Sequence, residues 1–137
     1  RNTAGDLQIA TGGQANYAVK FGNDIIIFTD VGINKLYYTG SPFVYGIQDA
    51  GVNCKAISPR SITSSGGFLS WISENSFFTY DGRVRELKSD VHDFIFDNIQ
   101  QRTQQATFGA HNIDYNEIWW FFPVGDTDQL TPNKYII

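Results

Sequence analysis

The 137-residue sequence contains no methionine, only four prolines and a single cysteine, Cys54. One cysteine excludes an internal disulfide framework and any zinc site built from several thiolates. Charged residues make up only 18% of the chain and its formal net charge is −4, which argues against a broad electrostatic surface for nucleic acid or anionic lipid. The longest apolar runs, residues 25–28 and 118–122, are far shorter than the roughly 20 residues of a membrane-spanning helix. We therefore expect no membrane insertion.

Both ends of the sequence are unusual for a complete protein. The chain begins at Arg1 instead of a methionine, shows no signal-peptide pattern and stops within the apolar run 135–137. These features predict a fragment of a longer chain.

Aromatic residues and glycine are abundant. The sequence has three Trp, seven Tyr, eleven Phe and 13 Gly, arranged in short runs that are separated by Asn, Asp, Gly and Ser, which favours an all-β protein. Three pairs of runs can be aligned with one another as hairpins. They comprise residues 25–30 with 35–40, 68–73 with 77–82, and 118–123 with 134–137.

The three hairpins recur at a regular interval. They begin at residues 25, 68 and 118, which are 43 and 50 residues apart, close to the roughly 40 to 50 residues of a four-stranded propeller blade. Each hairpin has a candidate strand before it, and two have one after it. These additional strands are predicted at residues 17–21, 61–65 and 105–110, and at 43–47 and 83–87.

This pattern predicts about three four-stranded antiparallel blades. They would cover residues 15–50, 57–88 and 104–137 of one partial β-propeller domain that spans residues 1–137. Propellers have typically four to eight blades, so three cannot close a ring. We therefore expect the chain to be part of a larger propeller, or to complete a ring with other chains.

One segment departs from the strand pattern. Between residues 90 and 101 the apolar residues Val91, Phe94, Ile95 and Ile99 recur at helical spacing, which predicts a short helical insertion. Asp90 is the expected N-cap, and the apolar stripe is expected to cover a blade edge. In the strand before the helix, we expect Val84 and Leu87 to face inward and the two arginines to face solvent.

The aromatic residues of the predicted strands are expected to pack between blades. They are Phe28, Trp71, Phe78, Tyr80, Trp119, Trp120 and Phe121.

Candidate catalytic and metal-binding residues are better explained as turn residues. Asp81-Gly82 is a turn pair, in which Asp hydrogen-bonds its own backbone and Gly supplies a positive φ. The other carboxylates that could serve a hydrolase, Asp30, Glu74 and Glu117, also lie in or beside predicted turns. We predict no catalytic residue and no enzyme activity.

The sequence also gives little support for a metal ion or cofactor. The segment 112–116 has alternating oxygen ligands but lacks the Gly and Glu of a calcium loop. Asp126 and Asp128 with Asn133 could hold calcium loosely, although an acidic solvated loop is the better interpretation. The two histidines have no ligand partner at a diagnostic spacing. We predict no metal and no cofactor, and Cys54 as a small apolar residue.

Several runs of the sequence together resemble a known family. They are Phe-Thr-Asp-Val-Gly at 28–32, Tyr-Thr-Gly at 38–40, Cys54 with Ile-Ser-Pro-Arg-Ser at 57–61, Phe-Thr-Tyr-Asp-Gly-Arg-Val at 78–84, Val-His-Asp-Phe-Ile-Phe at 91–96, and Asn-Glu-Ile-Trp-Trp-Phe-Phe-Pro at 116–123. From residue 22 onwards the chain resembles bacteriophage virion structural proteins of the tail hub or nozzle type, which contain a β-propeller. Members of that family extend beyond this chain at both ends.

The resemblance implies a non-enzymatic structural role in a phage tail. The expected partners are further copies of the chain and other tail proteins, arranged around the tail axis as a conduit or platform during DNA ejection, with transient contact to exiting DNA as an open option. The expected location is the virion, after synthesis in the bacterial host cytoplasm. Two alternatives stay open: a carbohydrate-binding or glycoside-cleaving propeller for host recognition, and a cellular propeller that serves as a protein-interaction platform.

Overall fold

The computed structural model describes residues 6–9, 13–42, 44–99, 103–125 and 131–137. The protein is mostly β, with 50% of its residues in strands and 11% in helices, and its described strands form three antiparallel sheets. Two compact units divide the chain, Arg1–Lys55 and Ala56–Ile137. The first unit contains one sheet and the second contains two.

The sheet of the first unit is a four-stranded meander in the order β1-β2-β3-β4. Its strands are β1 (Ala15–Phe21), β2 (Asp24–Thr29), β3 (Gly32–Tyr38) and β4 (Tyr45–Val52). Gly22 lies in the two-residue turn between β1 and β2 with a φ of 59°, a conformation that glycine adopts without steric cost. The Thr29 side chain holds the next turn, because its Oγ1 accepts hydrogen bonds from Val31 N and Gly32 N.

The core of the first unit contains both apolar and polar side chains. Ile26, Phe28 and Ile33 are buried. Asn34 is buried as well, and its Nδ2 donates a hydrogen bond of 2.5 Å to Asp49 Oδ1 on β4. A buried amide costs free energy unless it is hydrogen-bonded, so this cross-strand bond helps to fix the pairing of β3 with β4.

The second unit begins with another four-stranded meander, in the order β5-β6-β7-β8. Its strands are β5 (Thr63–Ser65), β6 (Phe68–Ile72), β7 (Phe77–Tyr80) and β8 (Val84–Leu87). Helix α1 (His92–Asn98) follows, and then the third sheet, in the order β11-β10-β9. The strands of that sheet are β9 (Phe108–Asn112), β10 (Glu117–Phe122) and β11 (Lys134–Ile136).

The second and third sheets share one hydrophobic core. Its buried members are Ile57, Ile72, Phe77, Ile95, Trp120 and Phe122. Strand pairing explains which side chains contribute: Ile72 pairs with Phe77 across β6 and β7, so both side chains lie on the same face of the second sheet. In β10, Trp120 and Phe122 are two residues apart and therefore share the face that meets this core.

The all-β class and the three hairpins predicted from the sequence are confirmed. The strands predicted at 61–65 and 105–110 begin later than expected, because each is preceded by a 3-10 turn, at Pro59–Ser61 and Gln104–Ala106. Ser58 caps the first of these turns by accepting a hydrogen bond from Arg60 N. The strand expected at 43–47 is β4, which starts at Tyr45, and residue 43 lies outside the described residues.

The predicted N-cap of α1 is wrong, and its predicted apolar stripe is confirmed only for Ile95 and Ile99, which pack in and against the core of the second unit. Residue Val91 precedes the helix without a side-chain capping bond, and it is the Ser89 hydroxyl that accepts a hydrogen bond from Val91 N. Ile95 is the buried residue of the helix, whereas Phe94 is 58% exposed. Seven residues make about two turns, so only a narrow face can contact the core. The predicted helix at 90–101 extends beyond α1, and residues 100 and 101 lie outside the described part of the chain.

Strand β8 lies at the edge of its sheet, and Val84 and Leu87, both predicted to face inward, lie on opposite faces because they are three residues apart. Val84 is half-buried, but Leu87 is 40% exposed. Leu87 pairs with Phe77 across the strands, so its side chain lies on the face of the second sheet that meets the core. This position is near the place where the second and third sheets move apart. Arg85 is exposed, as predicted.

Candidate functional site

The candidate functional site is the region in which the second and third sheets meet, with Trp120 at its centre. The Trp120 ring is stacked on Phe77, with ring centroids 5.3 Å apart and an interplanar angle of 29°. Its indole Nε1 donates a hydrogen bond of 2.9 Å to the carbonyl oxygen of Ser61. Trp120 therefore contributes both a buried apolar surface between the two sheets and a directional bond to the 3-10 turn that precedes β5.

The first strands of the two sheets, β5 and β9, approach each other closely. Gly109 on β9 pairs with Trp120 and faces Thr63 on β5. A Cβ atom added at Gly109 would overlap Thr63 Oγ1 and would lie 2.9 Å from the Trp120 ring. This contact requires glycine because of the close approach of its neighbours.

Polar side chains connect the two sheets near the same strands. Ser65 Oγ lies 3.0 Å from His111 Nε2. Farther along, Gln105 Nε2 donates a hydrogen bond of 3.1 Å to the carbonyl of Ile57, and Ser58 Oγ donates one of 3.2 Å to the carbonyl of Gln105. The Ser65–His111 contact joins β5 to β9, and the other two bonds join the segments that precede these strands. Hydrogen bonds depend on direction and distance, so these contacts restrict the relative position of the two sheets more strictly than apolar packing does.

On the side of β8 and β11 the two sheets diverge and enclose an open cleft of about 830 Å³. Apolar side chains from both sheets and four charged side chains line this cleft. The apolar lining includes Phe68, Phe77, Leu87, Ile118, Trp120 and Ile136, and the charged lining is Asp81, Arg85, Lys88 and Asp90.

The opposite face of the third sheet carries a cluster of aromatic rings. It comprises Phe108, Trp119, Phe121 and Tyr135. Trp119 and Tyr135 are stacked with centroids 5.3 Å apart and an interplanar angle of 16°. Tyr135 is 59% exposed, whereas the other three are half-buried. We call this set the outer aromatic cluster.

The aromatic residues predicted to pack between blades fall into several environments. Phe28 belongs to the core of the first unit, and Trp71 is buried and stacked on Phe78 with centroids 5.9 Å apart. Tyr80 is buried, Trp120 lies in the core between the second and third sheets, and Trp119 and Phe121 lie in the outer aromatic cluster.

Sequence reasoning missed the partner of Trp120. Phe77 is not among the predicted packing residues, although it is buried and contacts both Trp120 and Phe96. Alternation within the Phe77-Phe78 pair does indicate that the two rings point to opposite faces. It does not indicate which face meets the third sheet.

Asp81 and Gly82 form the turn between β7 and β8. Gly82 has a φ of 115°, a conformation that favours glycine. The Asp81 carboxylate was predicted to bond its own backbone, but its Oδ2 forms an ion pair of 3.2 Å with Arg85, four residues later. Both side chains are exposed, so this pair contributes little stability.

The other candidate polar residues have structural contacts. Asp30 Oδ1 accepts a hydrogen bond from Gln14 N, and Glu117 Oε2 accepts one from the Trp119 indole. The Asn133 side chain forms two hydrogen bonds with the backbone of Val124. Glu74 lies in the β6–β7 turn.

Among the described residues, no three His, Cys, Asp or Glu side chains are grouped to hold a metal ion. The predicted alternative at Asp126 and Asp128 lies outside those residues.

His92 connects α1 to the turn between β6 and β7. Its Nε2 lies 2.6 Å from the carbonyl oxygen of Asn75, and its Nδ1 lies 3.1 Å from Asp93 Oδ1. Both partners are acceptors, so only the doubly protonated ring can donate to both. The pKa of His92 is raised above its ordinary value, first by the hydrogen bond to Asp93 and then by the bond to Asn75; Glu86 adds a smaller attraction and burial opposes the shift.

This geometry predicts a pH-dependent contribution of His92 to stability. A pKa raised by folding stabilises the protein below the unfolded value near 6.5, and the contribution disappears as the pH rises through the folded value. We expect His92→Gln to lower the urea midpoint at pH 5.5 and to have little effect at pH 8.5. Equal losses at both pH values would contradict the prediction, and Asp97→Asn on the same helix is the control.

Cys54 is fully buried in the first unit. Burial raises the pKa of its thiol to about 11, and a backbone hydrogen bond from Ile33 opposes the shift. Because the thiolate is the nucleophile, we expect a disulfide reagent to label native Cys54 at least 100-fold more slowly than the urea-unfolded chain at pH 8. Mass spectrometry measures the labelling. Rapid labelling of the native chain by one equivalent of the reagent would show that the Cys54 thiol is accessible and would contradict this prediction.

The chain matches no protein-family model, and no curated protein matches it at a significant level. No helix among the described residues is long and apolar enough to cross a bilayer.

Proposed function

We propose that the chain is a non-enzymatic structural component of a phage tail, of the hub or nozzle type, and that its sheets are propeller blades. The observation that carries the proposal is the packing of two successive antiparallel sheets around Trp120 and Phe77. They are close together at their first strands and farther apart at their last strands. Neighbouring blades of a propeller have this arrangement, because their first strands converge on the central channel.

The chemistry of the described residues supports a structural role. Aromatic stacking and the contact between Ser65 and His111 hold the second sheet against the third. Several of the carboxylates that a hydrolase would use contact neighbouring side chains or backbone instead. The assignment to a virion rests on the sequence runs that resemble tail proteins. In this role the chain assembles with further copies and other tail proteins, and a net charge of −4 suits a surface past which DNA moves without tight binding.

Electron microscopy tests the virion role. Antibodies raised against the 137-residue chain are applied to particles released by the bacterium that encodes it. We expect gold label on the tail axis of these particles, and an averaged ring of blades at the labelled position. Gold label on the material of lysed cells alone, with none on purified particles, would contradict the proposal.

The outer aromatic cluster favours a second candidate function, binding of host oligosaccharide. Exposed rings can stack on sugars, but Trp119 and Tyr135 are stacked on each other, which leaves less free ring surface. Titration with lipopolysaccharide and peptidoglycan oligosaccharides, followed by Trp fluorescence, tests this function. A saturable shift that Tyr135→Ala removes would favour it over the structural role.

A further inference from the structure

Helix α1 packs on the core between the second and third sheets. Ile95 is buried in that core, and the ring of Phe96 packs edge-to-face on Phe77 with centroids 5.2 Å apart. A helix of seven residues is marginal by itself, so its position depends on contacts with the rest of the unit. Val91 precedes the helix without a side-chain capping bond, so the contacts of His92, the first helical residue, are important for the first turn.

His92 connects this first turn both to the second sheet and to the core. Its Nε2 lies 2.6 Å from the Asn75 carbonyl oxygen in the β6–β7 turn, and its Nδ1 lies 3.1 Å from Asp93 Oδ1 on the helix itself. The His92 ring also packs against Phe96, with centroids 4.7 Å apart. Contacts from His92 through Phe96 to Phe77 therefore connect a titratable group near the surface with the core.

The groups around His92 favour its charged form. The carboxylate of Asp93 acts on the ring from α1 and that of Glu86 acts from β8. The β6–β7 turn supplies the neutral Asn75 carbonyl and also contains Glu74, which is exposed. A neutral imidazole carries one N–H, so in either tautomer one ring nitrogen places a lone pair against an acceptor oxygen. Loss of the proton therefore weakens the contacts that hold the first turn of α1.

We propose that α1 is a pH-responsive cover of this core, held closed by the His92 imidazolium and loosened at its first turn when the ring loses its proton. Loosening separates Phe96 from Phe77 and exposes apolar surface on the second unit. The pKa of His92 is raised on folding, so the closed form is favoured below the ordinary value of 6.5 and is lost as the pH rises through the folded value. The proposal depends only on the geometry of the second unit and not on a virion role, so either can fail without the other.

Amide hydrogen exchange, resolved by NMR across the pH range in which His92 titrates, tests the proposal on the complete 137-residue chain. The amide of Ile95 donates to the carbonyl of Val91 and reports on the first turn of α1. After correction for the intrinsic pH dependence of exchange, we expect its protection factor to fall roughly threefold or more as the pH rises, while the amides of β10 keep theirs. The midpoint of this fall should coincide with the titration of the His92 ring, whose signals are those absent from His92→Gln.

One charge removal separates this mechanism from a purely structural role of the helix. Asp93→Asn removes the carboxylate beside Nδ1, so we expect the midpoint of the protection change to move to lower pH. Asp97→Asn removes the same charge from the same helix and should leave the midpoint in place, because Asp97 is not one of the groups that raise the pKa of His92. Constant protection of Ile95 across the pH range, a midpoint that does not follow the ring titration, or equal shifts in both variants would overturn the proposal. A parallel loss of protection in β10 would also overturn it, since the whole unit would then open instead of α1 alone.

Discussion

Trp120→Ala is expected to lower the free energy of unfolding of the chain by about 3–5 kcal/mol, the usual loss for a large buried aromatic residue. Trp120 is only 6% exposed and lies in the core that joins the second and third sheets. Its removal would leave a cavity next to Phe77 and Phe122, and a backbone that is fixed by Gly109 and Thr63 cannot readily close it. Urea unfolding, followed by circular dichroism, measures the loss.

Trp119 provides a matched control for this prediction. It is the preceding residue of the same strand, but its side chain points to the opposite face and is half-buried in the outer aromatic cluster. We expect Trp119→Ala to cost roughly 1–2 kcal/mol, in proportion to the smaller apolar area that it buries. If the two variants lose the same stability, Trp120 does not occupy the central position between the sheets.

Trp120→Phe separates the ring from its hydrogen bond. The smaller ring can still stack on Phe77, but the Ser61 carbonyl loses its indole donor. An unsatisfied buried acceptor costs roughly 1–3 kcal/mol. We therefore expect a loss between those of Trp119→Ala and Trp120→Ala.

Local sequence patterns were sufficient to predict the hairpins. The runs at 25–30 and 68–73 are bounded by turn residues, and they appear as β2 and β6 with shifts of one residue at their ends. Strand-forming apolar residues and turn residues are recognisable in the sequence without knowledge of the tertiary contacts. The period of 43 and 50 residues then predicted three successive β units, and the described part of the chain contains three sheets.

The contacts between sheets could not be predicted in the same way. The helical spacing placed Phe94 on the inward stripe of α1, yet Phe96 packs against Phe77 instead. This short helix also contacts the β6–β7 turn through the bond between His92 and the Asn75 carbonyl, a partner 17 residues away that helical spacing does not indicate. The stacking of Trp120 on Phe77 depends on which faces of two sheets meet, and strand alternation alone does not indicate those faces.

Gly109→Ala is expected to destabilise the chain by about 1–3 kcal/mol, although the change adds only one methyl group. Gly109 lies where β5 and β9 approach most closely, and the new Cβ would overlap Thr63 Oγ1 and crowd the Trp120 ring. Thr63 is a short, buried side chain that cannot rotate away without displacing its neighbours. Gly66→Ala is the control, because Gly66 is exposed and a Cβ there has no atom within 4 Å.

A double-mutant cycle identifies the cause of this loss. Thr63 Oγ1 has no hydrogen-bond partner among the described residues, so Thr63→Ala removes the overlapping atom without breaking a bond. We expect the double variant to recover at least about 1 kcal/mol relative to the sum of the two single losses, which is within the range for residues in contact. If the two stability losses are strictly additive, β5 and β9 do not meet at this point. The second sheet would then pack on the third with a different geometry, and the blade proposal follows from that packing.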